Sequence, residues 1–178
     1  MPLIECTLIE GYSSETRRLV SERITDAACS AIGAPPELVI VTVKEVAQEN
    51  YMRGRSQRIP APAPIQPDEI VKQFLSLMHD RKLDEAQKWL ADGAEMIFPG
   101  GKRFTALKEI VEWAKIRYQS VSKTFEKVET CFDGQDATVY CHGTLQGIWL
   151  DGKSFGGIRF IDRFSIRGGK ITHQQVWN

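Results

Sequence analysis

The second residue of the chain, Pro2, carries a nitrogen that can transfer protons once Met1 has been removed. A free amino-terminal proline is a secondary amine, and α-amino groups have an ordinary pKa of about 8, well below that of lysine. Burial or a nearby cation lowers this pKa, because both disfavour the charged ammonium. A base whose pKa lies near the working pH suits acid–base catalysis. Pro2 is therefore a candidate catalytic base, on condition that Met1 is cleaved, since a proline nitrogen within a peptide bond is an amide.

A second candidate, Asp162, lies near the carboxyl end of the chain in a segment with a period of two. Alternation over residues 158–166 places Asp162 on one face with four apolar residues, and the arginines on the other face. A carboxylate on an apolar face is costly unless it is hydrogen-bonded, and its burial raises its pKa. Such a group suits acid–base catalysis. The alternative is structural: Asp162 pairs with a neighbouring arginine or caps a loop.

The residues after Pro2 predict the elements that position it. The run to Ile9 favours an extended backbone and predicts a strand. Residues 15–32 have apolar residues at helical spacing. Ser13 and Ser14 before them are N-cap candidates, and Gly33 after them suits a helix end. The β-branched run 38–46 predicts a second strand. A strand, helix and strand with short connections indicate a β-α-β unit with parallel strands, and so short a unit usually needs oligomerisation or a partner domain.

Several motifs recur in this unit at the spacing of a known family: Pro2, Glu10-Gly11, Ala34-Pro35, Glu45, Glu49-Asn50-Tyr51 and Gly54. With these motifs, residues 2–54 resemble the 4-oxalocrotonate tautomerase family. The resemblance implies a small β-α-β subunit that assembles into oligomers. It also implies that Pro2 is the general base or acid in the keto–enol tautomerisation of an enolisable carbonyl compound.

The resemblance also points to the residues that would bind the substrate. Tyr51 lies where the family carries an aromatic residue that lines the pocket. Tyr12 and Ile40 stand in the places of two arginines that bind carboxylates. Neither can make the bidentate pairing of an arginine, so a substrate other than a dicarboxylate is implied. Arg53, in the following turn, is a candidate replacement cation; the alternative is a solvated arginine.

A proline-rich segment, residues 55–67, predicts a semi-rigid extended spacer between two domains, residues 1–54 and 68–178. In the second domain, helical spacing and then a period of two predict helices from Asp68, over 83–91 and over 105–119, and strands over 95–98, 123–132, 137–150, 154–167 and 170–177. Helices followed by hairpin-linked strands indicate an α+β domain.

This element order, together with the motif at residues 160–171, resembles the SnoaL-like branch of the nuclear-transport-factor-type α+β cone. The resemblance implies three helices packed on a curved, mainly antiparallel sheet with an apolar pocket. In cyclase relatives an aspartate matching Asp162, ten residues before Thr172 here, is the acid–base group. His142 and His173 are further candidates near the pocket mouth, and the alternative for each is a structural role. The aromatic candidates for the pocket lining, with core packing as the alternative, are Trp149, Trp177, Tyr140 and Phe98. Asn178 stands where relatives often carry a polar group near the pocket.

Composition excludes several classes of protein. Lysine plus arginine and aspartate plus glutamate number 23 each, so no net charge recruits nucleic acid or an anionic membrane. No long apolar run or leader segment occurs, and we expect a cytoplasmic protein. The four cysteines and three histidines are scattered, which predicts buried free thiols and neither a metal site nor a cofactor.

Three functions are compatible with these patterns. The first is a homo-oligomeric, tautomerase-like isomerase that uses Pro2 on a small carbonyl or aromatic substrate, with the second domain holding or processing the same molecule. In the second, a SnoaL-like cyclase, isomerase or hydrolase uses Asp162, and the first domain serves oligomerisation. In the third, the cone is a non-catalytic module that binds a small molecule.

Overall fold

The chain folds as two compact units, Met1–Ala63 and Pro64–Asn178, in a computed structural model that describes residues 1–178 in full. The first unit contains a parallel pair of strands and the second a six-stranded sheet with three helices. The fold class is therefore α+β, as the sequence predicts. No helix in the structure is both long enough and apolar enough to cross a membrane.

The first unit is a β-α-β unit followed by a small hairpin. Its elements are β1 (Leu3–Ile9), α1 (Ser14–Ile32), β2 (Ile40–Val46), β3 (Met52–Arg53) and β4 (Ser56–Gln57), with 3-10 turns at Pro36–Leu38 and Gln48–Asn50. Strands β1 and β2 are parallel, with Leu3 opposite Ile40 and Ile9 opposite Val46. The predicted parallel pairing is confirmed.

Local signals in the sequence set both ends of α1. The hydroxyl of Ser13 accepts a hydrogen bond from the backbone N–H of Thr16 at 3.1 Å, which satisfies one of the free donors of the first turn. Gly33 adopts a left-handed conformation with φ of 68°, and its N–H donates to the carbonyl of Cys29 at 3.0 Å. The helix therefore begins and ends next to the residues that predict its bounds.

The hairpin of β3 and β4 is an addition to the sequence prediction. Met52 pairs with Gln57 and Arg53 with Ser56 around a turn in which Gly54 has φ of 64°. Glycine adopts this conformation without steric cost. Residues 56–57 therefore form a strand within the segment that the sequence predicts to be an extended spacer.

The second unit packs its helices against a sheet with the strand order β6-β5-β10-β9-β8-β7. Its elements are α2 (Pro67–His79), α3 (Leu83–Gln87), β5 (Leu90–Phe98), β6 (Lys102–Phe104), α4 (Leu107–Lys115), β7 (Tyr118–Asp133), β8 (Asp136–Trp149), β9 (Ser154–Arg167) and β10 (Lys170–Trp177). All neighbouring strands are antiparallel except β5 and β10.

Strand pairing shortens two predicted helices. The helix predicted over 83–91 ends at Gln87, because β5 pairs with β10 and the N–H of Ile171 donates to the carbonyl of Trp89 at 2.8 Å. The helix predicted over 105–119 ends at Lys115, and β7 begins at Tyr118, opposite Trp149. In both places a tertiary partner overrides local helix propensity.

The core of the second unit lies between α2 and one face of the sheet. Phe74 of α2 meets Phe164 of β9 edge-to-face, with ring centroids 6.1 Å apart. In β9, the alternate residues Phe160, Asp162, Phe164 and Ile166 are buried, while Arg159 is exposed. The predicted alternation is therefore confirmed, and it places one carboxylate in an apolar core.

Candidate functional site

Pro2 stands directly before β1 and is fixed by the neighbouring strand. Its carbonyl accepts a hydrogen bond from the N–H of Ile40 at 3.0 Å. The proline ring is half-buried, whereas Met1 is 85% exposed. The backbone at Pro2 is thus held by β2 rather than left to fray, and the residue before it lies in solvent.

The candidate residues of the first unit lie at two ends of the parallel pair. Pro2 and Ile40 are at its amino end. Tyr12 follows the carboxyl end of β1, and Tyr51 and Arg53 follow that of β2. Seven residues of extended chain span about 20 Å. The structure therefore brings Ile40 to Pro2 and keeps Tyr12 away from Pro2 within one copy.

A charged pair that the sequence analysis did not identify lies beside Tyr12. A guanidinium nitrogen of Arg17, Nη1, donates to the carbonyl of Tyr12 at 2.6 Å and to Oε1 of Glu45 at 2.9 Å. Both charged side chains are about one-third exposed, so the pair itself contributes little to stability. Its effect is to connect α1 to β2 and to hold the turn after β1.

The second unit encloses a cavity of about 640 Å³. Most of its lining is apolar, including Phe74, Met78, Trp113, Tyr118, Phe125 and Val176. The lining also contains the cationic residues Lys72, Arg81 and Lys123, together with His79, but no aspartate or glutamate. A cavity of this size and lining is typical of sites for small organic molecules.

Asp162 lies behind this cavity and is joined to it by a lysine. Its side chain has 0% exposure, and Oδ2 accepts a hydrogen bond from Nζ of Lys123. Its other oxygen, Oδ1, is buried without a hydrogen-bond partner. Lys123 is 24% exposed and lines the cavity, whereas Asp162 is not among the lining residues. The partner of Asp162 is therefore a lysine of β7 rather than a neighbouring arginine.

Burial controls the titration of this cluster. Loss of hydration raises the pKa of Asp162, and the adjacent Lys123 ammonium opposes that rise. Cys141, opposite Asp162 in β8, has its pKa raised to about 12, first by burial and second by the charge of Asp162. The Cys141 thiol is therefore protonated near neutral pH, and the core disfavours the carboxylate form of Asp162.

Two predicted pocket residues of the second unit do not line the cavity. His142 faces away from the core, with Nε2 at 4.0 Å from a carboxylate oxygen of Glu129. Trp149 packs on Tyr118 and Phe155, with ring centroids 5.1 and 4.2 Å away. Of these residues only Tyr118 reaches the cavity. Alternation explains the position of His142, because its strand neighbour Cys141 points inward.

The other candidates also divide between the cavity and the surface. Phe98 and Asn178 line the cavity. His173 instead lies 3.8 Å from a carboxylate oxygen of Glu95, and Trp177 is exposed. The cysteines correct the prediction of buried thiols, since Cys141 is buried, Cys6 and Cys29 are half-buried and Cys131 is exposed.

Comparison with known proteins places the first unit in a family. The tautomerase enzyme family matches residues 2–56. A probable tautomerase of Halalkalibacterium halodurans is 35% identical over 51 residues, which are 29% of this chain and 84% of that protein. A 2-hydroxymuconate tautomerase of Comamonas testosteroni is 37% identical over 51 residues, 29% of this chain and 81% of that protein. The chain belongs to the tautomerase family. It is accordingly an isomerase-type enzyme.

The second unit of this tautomerase has a different set of structural relatives. The crystal structure of an NTF2-like protein of Burkholderia thailandensis covers 64% of this chain and 90% of that chain, with a TM-score of 0.53 and 19% identity. This similarity shows the fold alone. The predicted fusion of a tautomerase unit with a nuclear-transport-factor-type cone is confirmed.

The residue of the tautomerase that sequence reasoning missed is Lys123. It stands at the beginning of the strand predicted over 123–132, among other polar residues, and nothing local distinguishes it. Its partner Asp162 is 39 positions away and is reached across β8. The one available signal was the apolar face around Asp162. A carboxylate on such a face needs a partner, but the sequence does not show which residue provides it.

Proposed function

We propose that the first unit is a tautomerase in which Pro2, after removal of Met1, moves a proton between carbon and oxygen of an enolisable carbonyl compound. The observation that carries the proposal is the position of Pro2 directly before β1, in a unit of the tautomerase family. The carbonyl of Pro2 accepts a hydrogen bond from the N–H of Ile40 at 3.0 Å. Strand pairing gives the proline nitrogen a fixed position, which proton transfer requires.

The residues exposed at the Pro2 end of the parallel pair bear on the choice of substrate. Leu3 and Ile40, opposite each other in the parallel pair, expose apolar side chains at the same end of the strands as Pro2. Neither Leu3 nor Ile40 offers a cation that could bind a second carboxylate group of a substrate. A substrate with one carboxylate or none therefore fits better than the 2-hydroxymuconate of the Comamonas relative's name.

We further propose that the protein is a homo-oligomer assembled through the first unit. In this unit Ile9 is the one buried residue, and no residue of α1 is buried. Leu3, Ile32 and Ile40 are exposed, and a unit this small with so little core is marginal alone. A site that includes both Pro2 and Tyr12 would also have to take Tyr12 from another copy. Light scattering on the purified protein tests the assembly, and a monomer at micromolar concentration contradicts it.

The test of the catalytic proposal is the ketonisation of phenyl-enolpyruvate. We expect Pro2→Ala to lower kcat/KM by about 10² or more, the range in which a positioned acid–base group contributes. Intact mass must show that Met1 is absent from both proteins. Pro36→Ala, an exposed proline at the 3-10 turn before β2, serves as the matched control. Equal rates for the unsubstituted protein and Pro2→Ala would remove Pro2 from the mechanism.

We infer that the second unit binds a small organic molecule. The supporting observation is the cavity of about 640 Å³ with its mainly apolar lining. A catalytic role for Asp162 is the competing function, favoured by its burial and its raised pKa. Turnover that is lost in Asp162→Asn, with ligand affinity retained, would support catalysis. Ligand binding without turnover, in the unsubstituted protein and in Asp162→Asn alike, favours a binding module.

A further inference from the structure

The wall of the cavity in the second unit has an unusual distribution of charge. Among its lining residues are three with cationic side chains and no aspartate or glutamate. Lys72 is already held by Asp68 and Glu69, each at 2.8 Å, and Arg81 is exposed. Lys123 differs from both, because it is mostly buried and its counter-ion lies behind the wall rather than in solvent.

The ammonium of Lys123 has hydrogen-bonding capacity left for a ligand. An ammonium carries three donors, and in the structure that of Lys123 makes one hydrogen bond, to Oδ2 of Asp162. Its nitrogen also lies 4.5 Å from the centroid of the Phe160 ring. Asp162 and Phe160 thus hold the amine at the wall, and two donors are left without a protein partner.

We propose that the cavity binds a small aromatic monocarboxylate, with its carboxylate on the ammonium of Lys123 and its ring against the apolar lining. This proposal depends on the inference that the second unit binds a small molecule, and it is independent of Pro2. Asp162 is then a positioning residue that orients Lys123 rather than a group that touches the ligand.

The chemistry of the lining favours this ligand class over others. A carboxylate accepts charge-assisted hydrogen bonds from an ammonium in a site where water is scarce. One mostly buried lysine compensates one negative charge, so a phosphate dianion would keep uncompensated charge. Phe98, Trp113 and Tyr118 line the cavity and offer ring edges and faces to an aromatic body.

The negative charge of Asp162 repels an anionic ligand, so the proposal makes a specific prediction for Asp162→Asn. The groups that face Asp162 are Lys123 from β7 and Cys141 from β8, while its partner in β10 is the uncharged Val176. Because burial already raises the pKa of Asp162, an arriving carboxylate favours its protonation. Replacing Asp162 by asparagine removes this competition, so we expect tighter rather than weaker binding of the acid.

The test compares 3-phenylpropanoate with 3-phenylpropanamide, which have the same shape and differ in charge. Binding to the full-length protein is measured by calorimetry. We expect the acid to bind at least about tenfold more tightly than the amide, as a charge-assisted hydrogen bond predicts. Equal affinities, or no binding of the acid, would overturn the proposal. Equal affinities would leave the inference of a small-molecule cavity standing. Neither result bears on the proposal for Pro2.

Three variants then assign the charge. Lys123→Met with Asp162→Asn removes both charges together and should abolish the preference for the acid. Asp162→Asn alone should keep or increase that preference. Lys127→Met, an exposed lysine of the same strand, is the matched control and should change nothing. A preference that survives the double substitution, or one that Asp162→Asn alone eliminates, contradicts the role given to Lys123.

Discussion

The two units of the chain present their candidate chemistry in opposite ways. In the first, Pro2 lies at the open end of two short strands, in a unit with almost no buried core. In the second, Lys123 and Asp162 form an ion pair inside a core that encloses a cavity. The proposed site of the first unit depends on the terminus and on other copies, whereas that of the second is complete within one copy.

This difference has a physical origin. A free amine at a chain terminus is already a base and needs only a rigid strand to position it. A buried charge needs a partner, and the partner has to come from another strand of the same sheet. The first kind of site is visible as a motif in the sequence, while the second exists only once the sheet has formed.

The largest effect should come from extending the chain by one residue before Pro2 in the processed protein. The extension turns the proline nitrogen into an amide and leaves every side chain in place. We expect ketonisation of phenyl-enolpyruvate to fall by about 10² or more, since an amide nitrogen is not a base. Calorimetry with 3-phenylpropanoate should give an unchanged affinity, because the cavity lies in the other unit. If both properties fall together, the two sites are not separate.

Stability should respond strongly to Lys123→Met. Removing one partner leaves the fully buried Asp162 without its counter-ion, which typically costs about 3 kcal/mol of unfolding free energy. Adding Asp162→Asn should recover most of that loss. The four tryptophans are Trp89, Trp113, Trp149 and Trp177. All lie in the second unit, so urea unfolding followed by their fluorescence reports on that unit. A single variant as stable as the double variant would show that the pair is not buried as described.

The replaced arginine position in the first unit offers a gain of function. The backbone N–H of Ile40 donates a hydrogen bond to the carbonyl of Pro2, and Ile40 is 41% exposed. Ile40→Arg places a bidentate cation at the Pro2 end of the strands, and we expect kcat/KM for 2-hydroxymuconate relative to phenyl-enolpyruvate to rise about tenfold. Ile40→Met keeps the size without the charge and should leave the ratio unchanged. A similar rise in both variants would mean that charge does not limit dicarboxylate binding.

The sequence predicted the parts of the fold that depend on local signals. Ser13 and Gly33 bracket α1 as expected, and alternation over β9 identified the buried face that carries Asp162. It missed the beginning of β5 at Leu90, because the parallel partner of that strand lies about eighty residues further along the chain. Local propensity carries no information about such a partner.

The same limit explains the candidate sites. Pro2 could be proposed from the sequence because its position in the chain defines its chemistry, and its catalytic role stays a prediction. Lys123 was not, since its role depends on the registers of β7, β8 and β9 together. His142 was assigned to the pocket although its inward-pointing neighbour Cys141 places it on the opposite face. Alternation applied to β8 as it was to β9 would have excluded it.

The smallest effect concerns the pH dependence of the second unit. The pKa of Asp162 is raised above its ordinary value of 3.8 by burial, so the folded protein holds that proton more tightly than the unfolded chain does. The resulting stabilisation is complete below about pH 4 and is lost as pH rises through the pKa of the folded state. Asp162→Asn cannot titrate at this position. The unfolding free energy of the unsubstituted protein minus that of Asp162→Asn, from tryptophan fluorescence in urea, should therefore fall as pH rises from 4. A difference that increases with pH would mean that the pairing with Lys123 outweighs burial, and Asp162 would then be an ordinary ionised partner.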